Sequence, residues 1–125
     1  MAKQKILIID DEVDLLEMLK MRLESQDYEV LYLNSGENAI KTIQEEKPDL
    51  VMLDIVLPDK NGCDICFELK RNEDTASIPV IIFTAKPDWK EVMDTLGKFV
   101  KADGYISKPF EPQMLLAKIK GMLKE

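Results

Sequence analysis

Five short, largely apolar runs recur along this chain, and a segment with helical spacing follows each of them. The runs cover residues 6–9, 29–33, 50–53, 79–83 and 104–107. The segments that follow place apolar residues at the spacing of an amphipathic helix. They are residues 13–26, a segment that carries Ala39, Ile40 and Ile43 and ends before Pro48, and residues 63–71, 88–100 and 112–123. Asn34, Ser35 and Gly36 are predicted to form a turn and an N-cap before the second helix. Strict alternation of strand and helix predicts an α/β domain with a parallel sheet and helices on both faces.

The composition of the runs also predicts their order in the sheet. The first, third and fourth runs are apolar throughout, which is typical of central strands covered on both faces, whereas the second and fifth carry polar residues and suit the edges. This favours the strand order 2-1-3-4-5 of a three-layer, doubly wound, flavodoxin-like (βα)5 fold. Ligands of such folds bind beyond the carboxyl ends of the strands.

Size and charge narrow the class of protein. At 125 residues the chain is expected to form one domain, residues 1–125, which needs no metal or disulfide to fold. The formal net charge of -7 argues against direct nucleic-acid binding, because phosphate backbones are held by clustered Lys and Arg. No apolar stretch approaches the roughly 20 residues of a membrane span and no secretory signal opens the sequence, so no membrane contact and a cytoplasmic location are expected.

Histidine is absent, which excludes a Ser-His-Asp triad and removes the commonest zinc ligand. Cys63 and Cys66 have C-x-x-C spacing, but they fall inside a predicted helix, and no other Cys or His could complete a zinc site. We therefore expect reduced thiols, at least one of them packed as a small apolar side chain. The chemistry left to the chain is that of carboxylates, hydroxyls and lysines.

Candidate site residues stand at the carboxyl ends of four of the five predicted strands, whereas the second strand delivers only Asn34 and Ser35. The candidates are Asp10 and Asp11 after the first strand, Asp54 after the third, Thr84 after the fourth and Lys108 after the fifth. Taken singly, each could merely cap a helix, stabilise a turn or face solvent. Together they place three carboxylates, a hydroxyl and an ammonium group at one edge of one sheet.

Three crowded carboxylates repel each other, by about 4 kcal/mol per pair at a separation of about 4 Å and an effective dielectric constant near 20. Such a cluster takes up protons or binds a cation, and oxygen ligands favour Mg²⁺, with Mn²⁺ as a substitute. Lys108 supplies a second positive charge. The pocket is thus predicted to neutralise an arriving dianion, and phosphoryl transfer needs little beyond positioning and charge neutralisation.

The same residues carry a resemblance to a known family. The motifs are Asp10-Asp11 after the first strand, Asp54 with Pro58 and Gly62, Thr84-Ala85, and Tyr105 to Lys108-Pro109-Phe110. Through them the chain resembles, over essentially its whole length, the receiver domain of bacterial two-component response regulators.

The resemblance implies a function for each motif residue. Asp54 would accept a phosphoryl group from the phosphohistidine of a sensor histidine kinase or a phosphotransfer protein. Asp11, Asp54 and the backbone carbonyl of Val56 would bind Mg²⁺ directly, and Asp10 would act mainly through water. Such a domain catalyses its own phosphorylation and dephosphorylation and turns over no separate substrate, so it is not expected to be an ordinary enzyme.

The resemblance also implies a switch. Lys108 would pair with the phosphoryl group, Thr84 would donate its hydroxyl to it, and Tyr105 would swing inward as Thr84 moves. The Lys108–Pro109 peptide would be cis. The output would be a population shift in the face made by the fourth predicted helix, the fifth strand and the last helix, available to a downstream output domain or to self-association.

Val56, two residues after the acceptor, cannot position an attacking water by its side chain. We therefore hypothesise a fairly long-lived phosphoryl state, which rapid loss of radiolabel from the isolated phosphoprotein would contradict.

Other functions remain to be weighed. Haloacid dehalogenase-like phosphatases need a second Asp two residues after the nucleophile, where this chain has Val56. A flavodoxin needs a Ser/Thr/Gly phosphate loop after the first strand, where Asp10, Asp11 and Glu12 would repel phosphate. The main alternative is a receiver-like interaction module that signals without phosphorylation. The sequence leaves open whether the domain stands alone or belongs to a longer regulator.

Overall fold

The computed structural model describes residues 3–59, 62–85 and 102–123. Its strands are β1 (Lys5–Ile9), β2 (Glu29–Leu33), β3 (Leu50–Leu53), β4 (Val80–Thr84) and β5 (Gly104–Ser107). Its helices are α1 (Val13–Glu24), α2 (Ala39–Glu46), α3 (Gly62–Arg71) and α4 (Pro112–Leu123). Every predicted strand is present, with boundaries that differ by one residue at most. The helix predicted over residues 88–100 lies outside the described residues.

The strands form one parallel sheet in the order β2-β1-β3-β4-β5. β3 and β4 are buried at every position, and β1 is buried from Ile6 onward. In the edge strands β2 and β5 only Val30 and Gly104 are buried, and the other residues are half-buried or exposed. The predicted order is confirmed, because wholly apolar strands are stable only where helices cover both faces.

Helices cover the two faces of the sheet in two separate apolar clusters. The first cluster joins alternate strand residues to α2 and α3, and its members include Leu7, Ile9, Val51, Leu53, Val80, Ile82, Ile43, Cys66 and Leu69. The second joins the intervening strand residues to α1 and α4, and its members include Ile6, Ile8, Leu50, Met52, Ile81, Phe83, Leu16, Leu19, Leu115 and Ile119. Each fully buried Val, Leu or Ile stabilises the fold by about 1.5–3 kcal/mol relative to an exposed one. The three-layer architecture predicted from the alternation is therefore confirmed.

The start of α2 differs from the prediction. The helix begins at Ala39, with Asn38 in the N-cap position and no side-chain capping hydrogen bond, so the N-cap predicted at residues 34–36 is wrong. Instead the Gly36 N–H donates to the Oδ1 atom of Asp59 at 2.8 Å. A contact between two loops thus replaces the expected local cap.

Across the described parts of the chain, none of the helices has the length and apolar character that crossing a membrane would require.

Candidate functional site

The register of β1 and β3 brings two carboxylates to the same level of the sheet. Ile9 pairs with Leu53, so Asp10 and Asp54 follow their strands side by side. The Asp54 N–H donates to the Ile9 carbonyl at 3.0 Å and extends the ladder by one bond. The backbone therefore fixes both acids at the carboxyl edge, one step beyond the apolar core.

The register of β4 and β5 brings the lysine to this edge. Thr84 pairs with Ser107 at the ends of the two strands, and the Lys108 N–H donates to the Thr84 carbonyl at 2.8 Å. The Lys108–Pro109 peptide that follows is cis, as expected. Lys108 thus begins one residue beyond the sheet, as Asp10 and Asp54 do.

Three acids converge at this edge. Asp10, Asp11 and Asp54 each offer one carboxylate oxygen, and these oxygens lie within 4.8 Å of one another. Asp10 and Asp54 are buried, whereas Asp11 is exposed and closes the cluster from the solvent side. Carboxylate oxygens at such spacing form a donor set that suits a hard divalent cation.

Lys108 lies against the same cluster. Its Nζ atom donates to Asp10 Oδ2 at 2.5 Å, to Glu12 Oε1 at 3.0 Å and to Asp54 Oδ2 at 3.0 Å. The lysine side chain is only 8% exposed, and Nζ also lies 4.9 Å from the centre of the Phe83 ring. The one ammonium group therefore compensates three carboxylates at close range.

Burial and these contacts act in opposite directions on the lysine. Burial lowers the pKa of Lys108, but its hydrogen bonds to Asp10, Glu12 and Asp54 outweigh burial, and the net pKa lies above the ordinary lysine value. Lys108 is therefore a permanent cation at neutral pH. Burial raises the pKa of the Asp10 carboxyl, against the hydrogen bonds that it accepts from Lys108 and from the Glu12 N–H.

Both oxygens of Asp54 have a partner on the protein. The Val56 N–H donates to Oδ1 at 3.0 Å, and Lys108 donates to Oδ2 at 3.0 Å. These two bonds hold the carboxylate in one orientation in a buried setting. The side chain of Val56 is 52% exposed and points no polar group at the cluster.

The two remaining predicted site residues lie in the neighbouring strands. Thr84 is buried at the end of β4, at the same edge as the acids. Tyr105 is half-buried in β5 and packs against the cluster made by α2 and α3. Burial raises the pKa of Tyr105, although a backbone hydrogen bond with Ala102 opposes this. The proposed phosphoryl contact of Thr84 and the proposed swing of Tyr105 remain predictions.

Two residues of the site were missed at the sequence level. Glu12 accepts a hydrogen bond from Lys108. The sequence predicted no contact for it, although its position directly after Asp10 and Asp11 was a usable signal. Asp59 ties the loop after β3 to the Gly36 turn, and no pattern in the sequence pairs these two loops.

The two thiols take no part in this site. Cys63 and Cys66 are in no disulfide and are buried on the core side of α3, which confirms the expectation of reduced, packed thiols. Burial raises the pKa of each thiol to about 11, with the nearby Asp64 adding to the effect at Cys63. Neutral, buried thiols of this kind are inert toward most oxidants and metals.

The fold and the cluster define a class of protein: a doubly wound α/β domain with three carboxylates and a lysine grouped at its carboxyl edge. A family model described as the response regulator receiver domain matches residues 6–120. The chain belongs to this family, the receiver domain of two-component response regulators.

Full-length regulators are among the similar proteins. The DNA-binding response regulator MtrA of Mycobacterium tuberculosis is 37% identical over 122 residues, which are 98% of this chain and 51% of that protein. The phosphate regulon transcriptional regulatory protein PhoB of Pseudomonas aeruginosa is 41% identical over 124 residues, which are 99% of this chain and 53% of that protein. The chain spans about half the length of the curated relatives that it matches.

Solved structures share the fold over the whole domain. A response regulator receiver domain protein from Methanospirillum hungatei has a TM-score of 0.86 at 30% identity, over 98% of this chain and 94% of that one. The BeF3-activated receiver domain of Klebsiella pneumoniae RstA has a TM-score of 0.84 at 29% identity, over 98% of this chain and 100% of that one.

Proposed function

We propose that this receiver domain accepts a phosphoryl group on Asp54 from the phosphohistidine of a sensor histidine kinase or a phosphotransfer protein. The observation that supports this most strongly is the setting of Asp54. Its carboxylate is buried, oriented by the Val56 N–H, 3.0 Å from the Lys108 ammonium, and grouped with the oxygens of Asp10 and Asp11. A carboxylate that served only to stabilise a turn would not need a fixed cation and two further acids.

The chemistry follows from these contacts. An oxygen of the ionised Asp54 carboxylate attacks phosphorus, the new O–P bond forms as the P–N bond to the donor imidazole breaks, and the imidazole leaves with its electron pair and takes up a proton. Lys108 offsets negative charge on the transferred group, because its raised pKa keeps it protonated. Thr84, at the same edge, would donate its hydroxyl to a phosphoryl oxygen. Orientation and charge neutralisation are the main contributions that a protein makes to this reaction.

The oxygen-only donor set of the acidic cluster fits Mg²⁺, and Mn²⁺ could replace it. Asp11, Asp54 and the backbone carbonyl of Val56 would hold the ion directly, and Asp10 would act mainly through water. When bound, the ion supplies positive charge to the phosphoryl oxygens. The residues of this chain then serve to position the ion, because Asp10 is held in place by Lys108 and by the Glu12 N–H.

The domain would catalyse its own phosphorylation and dephosphorylation and turn over no separate substrate. Water has to attack phosphorus to remove the group, and the exposed, apolar Val56 offers it no hydrogen bond. This supports a slow loss of the phosphoryl group from the isolated domain.

A half-open groove beside Lys108 offers a docking surface next to the acceptor. Its lining is largely apolar and comprises Glu12, Leu15, Met18, Ala85, Lys108, Pro109 and Phe110. A phosphodonor protein could pack on this groove while its phosphohistidine reaches Asp54. The output would pass to the surface formed by β5 and α4, for an output domain or for self-association. The fourth predicted helix, which the prediction assigns to the same surface, lies outside the described residues.

The relatives named as DNA-binding regulators conflict with the expectation of no direct nucleic-acid contact, if that expectation is applied to a whole regulator. For the receiver domain alone it stays a prediction, because the match covers only about half of those proteins. The single-domain description of residues 1–125 and the cytoplasmic location also stay predictions.

Intact mass spectrometry tests the proposed function. Wild type, Asp54→Asn and the control Asp64→Asn, which removes an exposed acid from α3, are incubated with Mg²⁺ and acetyl phosphate. We expect one phosphoryl group on wild type and on the control, and none on Asp54→Asn. If wild type takes up no group from acetyl phosphate or from a panel of histidine kinases, the phosphorylation-independent interaction module becomes the better interpretation.

A further inference from the structure

All three N–H donors of the Lys108 ammonium group are in use. A protonated lysine carries three N–H groups, and those of Lys108 point to Asp10, Glu12 and Asp54. A phosphoryl group on Asp54 needs at least one of these donors. One of the three existing partners must therefore release Lys108 when the group arrives.

The structure distinguishes the three partners by their freedom to move. The Asp10 side chain is fully buried, and its other oxygen accepts the Glu12 N–H at 2.9 Å. Asp54 is the acceptor itself and is held by Val56. The Glu12 side chain is 59% exposed, and among the described residues Lys108 is the one hydrogen-bond partner of its carboxylate.

We propose that Glu12 is a positioning residue that holds Lys108 in the unphosphorylated domain and competes with the incoming phosphoryl group for its third N–H. This inference rests on the proposed function and adds regulation to the same site. A phosphoryl group carries close to two negative charges, so it repels Glu12 and attracts Lys108 at once. Glu12 swings into solvent, and Lys108 turns to the phosphoryl oxygens without leaving Asp10.

An ordinary surface ion pair would have no such consequence, because exposed pairs contribute little and break freely. The Glu12–Lys108 pair differs in that its lysine is 8% exposed and the other two partners of that lysine, Asp10 and Asp54, are buried side chains. Only the glutamate end is at the surface. Glu12 and the phosphoryl group therefore compete for one N–H of a lysine whose other contacts stay in place.

Three variants separate this competition from the general effect of charge. Glu12→Ala removes the competing acceptor, Glu12→Gln keeps a neutral acceptor, and Asp14→Asn removes one charge from the exposed first turn of the same helix. With acetyl phosphate and Mg²⁺, we expect the phosphorylation rate constant to rise about two- to fivefold for Glu12→Ala relative to Asp14→Asn, which is the range of a weak ion pair. Glu12→Gln should lie between the two.

A second measurement distinguishes positioning from a structural effect. Beryllium fluoride, a phosphoryl analogue, should bind Glu12→Ala more tightly by a similar factor, whereas the affinity for Mg²⁺ alone should match that of Asp14→Asn. Rates or affinities of both Glu12 variants equal to or below those of Asp14→Asn would overturn the inference. If wild type is phosphorylated on Asp54 in that experiment, the proposed function survives; if wild type accepts no phosphoryl group, the proposed function fails first.

Discussion

The two ends of the sheet carry polar networks of opposite design. At the amino end, Lys70 donates to Asp103 Oδ2 at 2.7 Å and to the carbonyls of Ile78 and Ala76 at 2.7 and 3.2 Å. The same Asp103 oxygen accepts the Val80 N–H at 2.8 Å. In this network one cation therefore meets one acid, and the remaining contacts join α3, the loop after it and the first residue of β4.

Among the described residues, the carboxyl end has an excess of negative charge instead. In that part of the chain Asp10, Asp11, Glu12 and Asp54 surround one cation, Lys108. The Lys70–Asp103 network thus stabilises the fold without a further ion. The acids described at the carboxyl end outnumber the cations there, so that end gains stability when another cation joins it. The difference suits the proposed function, because stability is commonly given up in functional sites.

Gly62 gives the largest expected effect and shows how closely the carboxyl end is packed. A Cβ atom at this position would lie 2.2 Å from the Asp54 carbonyl oxygen and 2.6 Å from the Ile55 Cα, both of them backbone atoms that cannot turn away. We expect Gly62→Ala to lower the free energy of unfolding by about 3 kcal/mol or more. The measurement is urea unfolding followed by circular dichroism.

Gly121 is the matched control for this substitution. A Cβ there meets nothing within 4 Å, and the residue lies in α4. Gly121→Ala should be neutral or stabilising by up to about 1 kcal/mol, because alanine favours the helix. Equal stabilities of the two variants would show that the loop after β3 is not held against α3 in the way described.

Lys70 tests the amino end. Lys70→Met keeps the apolar stem but removes the ion pair with Asp103 and the bonds to two carbonyls, so we expect a loss of about 2 kcal/mol in unfolding free energy. Lys120→Met, at an exposed site of α4, should stay within about 0.5 kcal/mol of wild type. Phosphorylation by acetyl phosphate should be unchanged in both. A phosphorylation defect in Lys70→Met would contradict the view that the amino end contributes to stability alone.

Many residues at the carboxyl end could be placed from the sequence. The apolar runs that build the core also determine where the residues directly after them lie along the sheet. Asp10 and Asp54 lie side by side because Ile9 pairs with Leu53, the last residues of their strands. An apolar run that ends at an acid indicates this position in the sequence. The order of the strands followed from the polar residues of β2 and β5. The types of residue that meet at the carboxyl end could therefore be predicted from the sequence.

The exact partners were not predictable, because they depend on contacts between distant loops. The N-cap predicted at residues 34–36 fails since the Gly36 N–H is occupied by Asp59, which is 23 residues away in the chain. The role of Glu12 depends on Lys108, 96 residues away. Local patterns locate a side chain at an edge of the sheet, but they do not decide which of several acceptors a lysine chooses there.

Asp11 gives the smallest expected effect and tests the excess charge directly. Its carboxylate is exposed but lies within 4.8 Å of the oxygens of Asp10 and Asp54, so it adds repulsion that water only partly screens. Without divalent cations, the free energy of unfolding of Asp11→Asn should therefore be about 1 kcal/mol higher than that of wild type. Asp14→Asn should show no such increase.

Adding Mg²⁺ should make wild type more stable to unfolding than Asp11→Asn, which reverses the order expected without the ion. An ion that binds only the folded state stabilises it by about 2.7 kcal/mol at a hundredfold excess over its dissociation constant, and wild type has the complete set of three carboxylates to bind it. Asp11→Asn lacks one proposed ligand and should gain much less at the same concentration. Unfolding curves measured in EDTA and at increasing Mg²⁺ would show the crossing, with Asp14→Asn following wild type throughout. Parallel curves for wild type and Asp11→Asn would mean that the repulsion at the carboxyl end is not the means by which a cation is recruited.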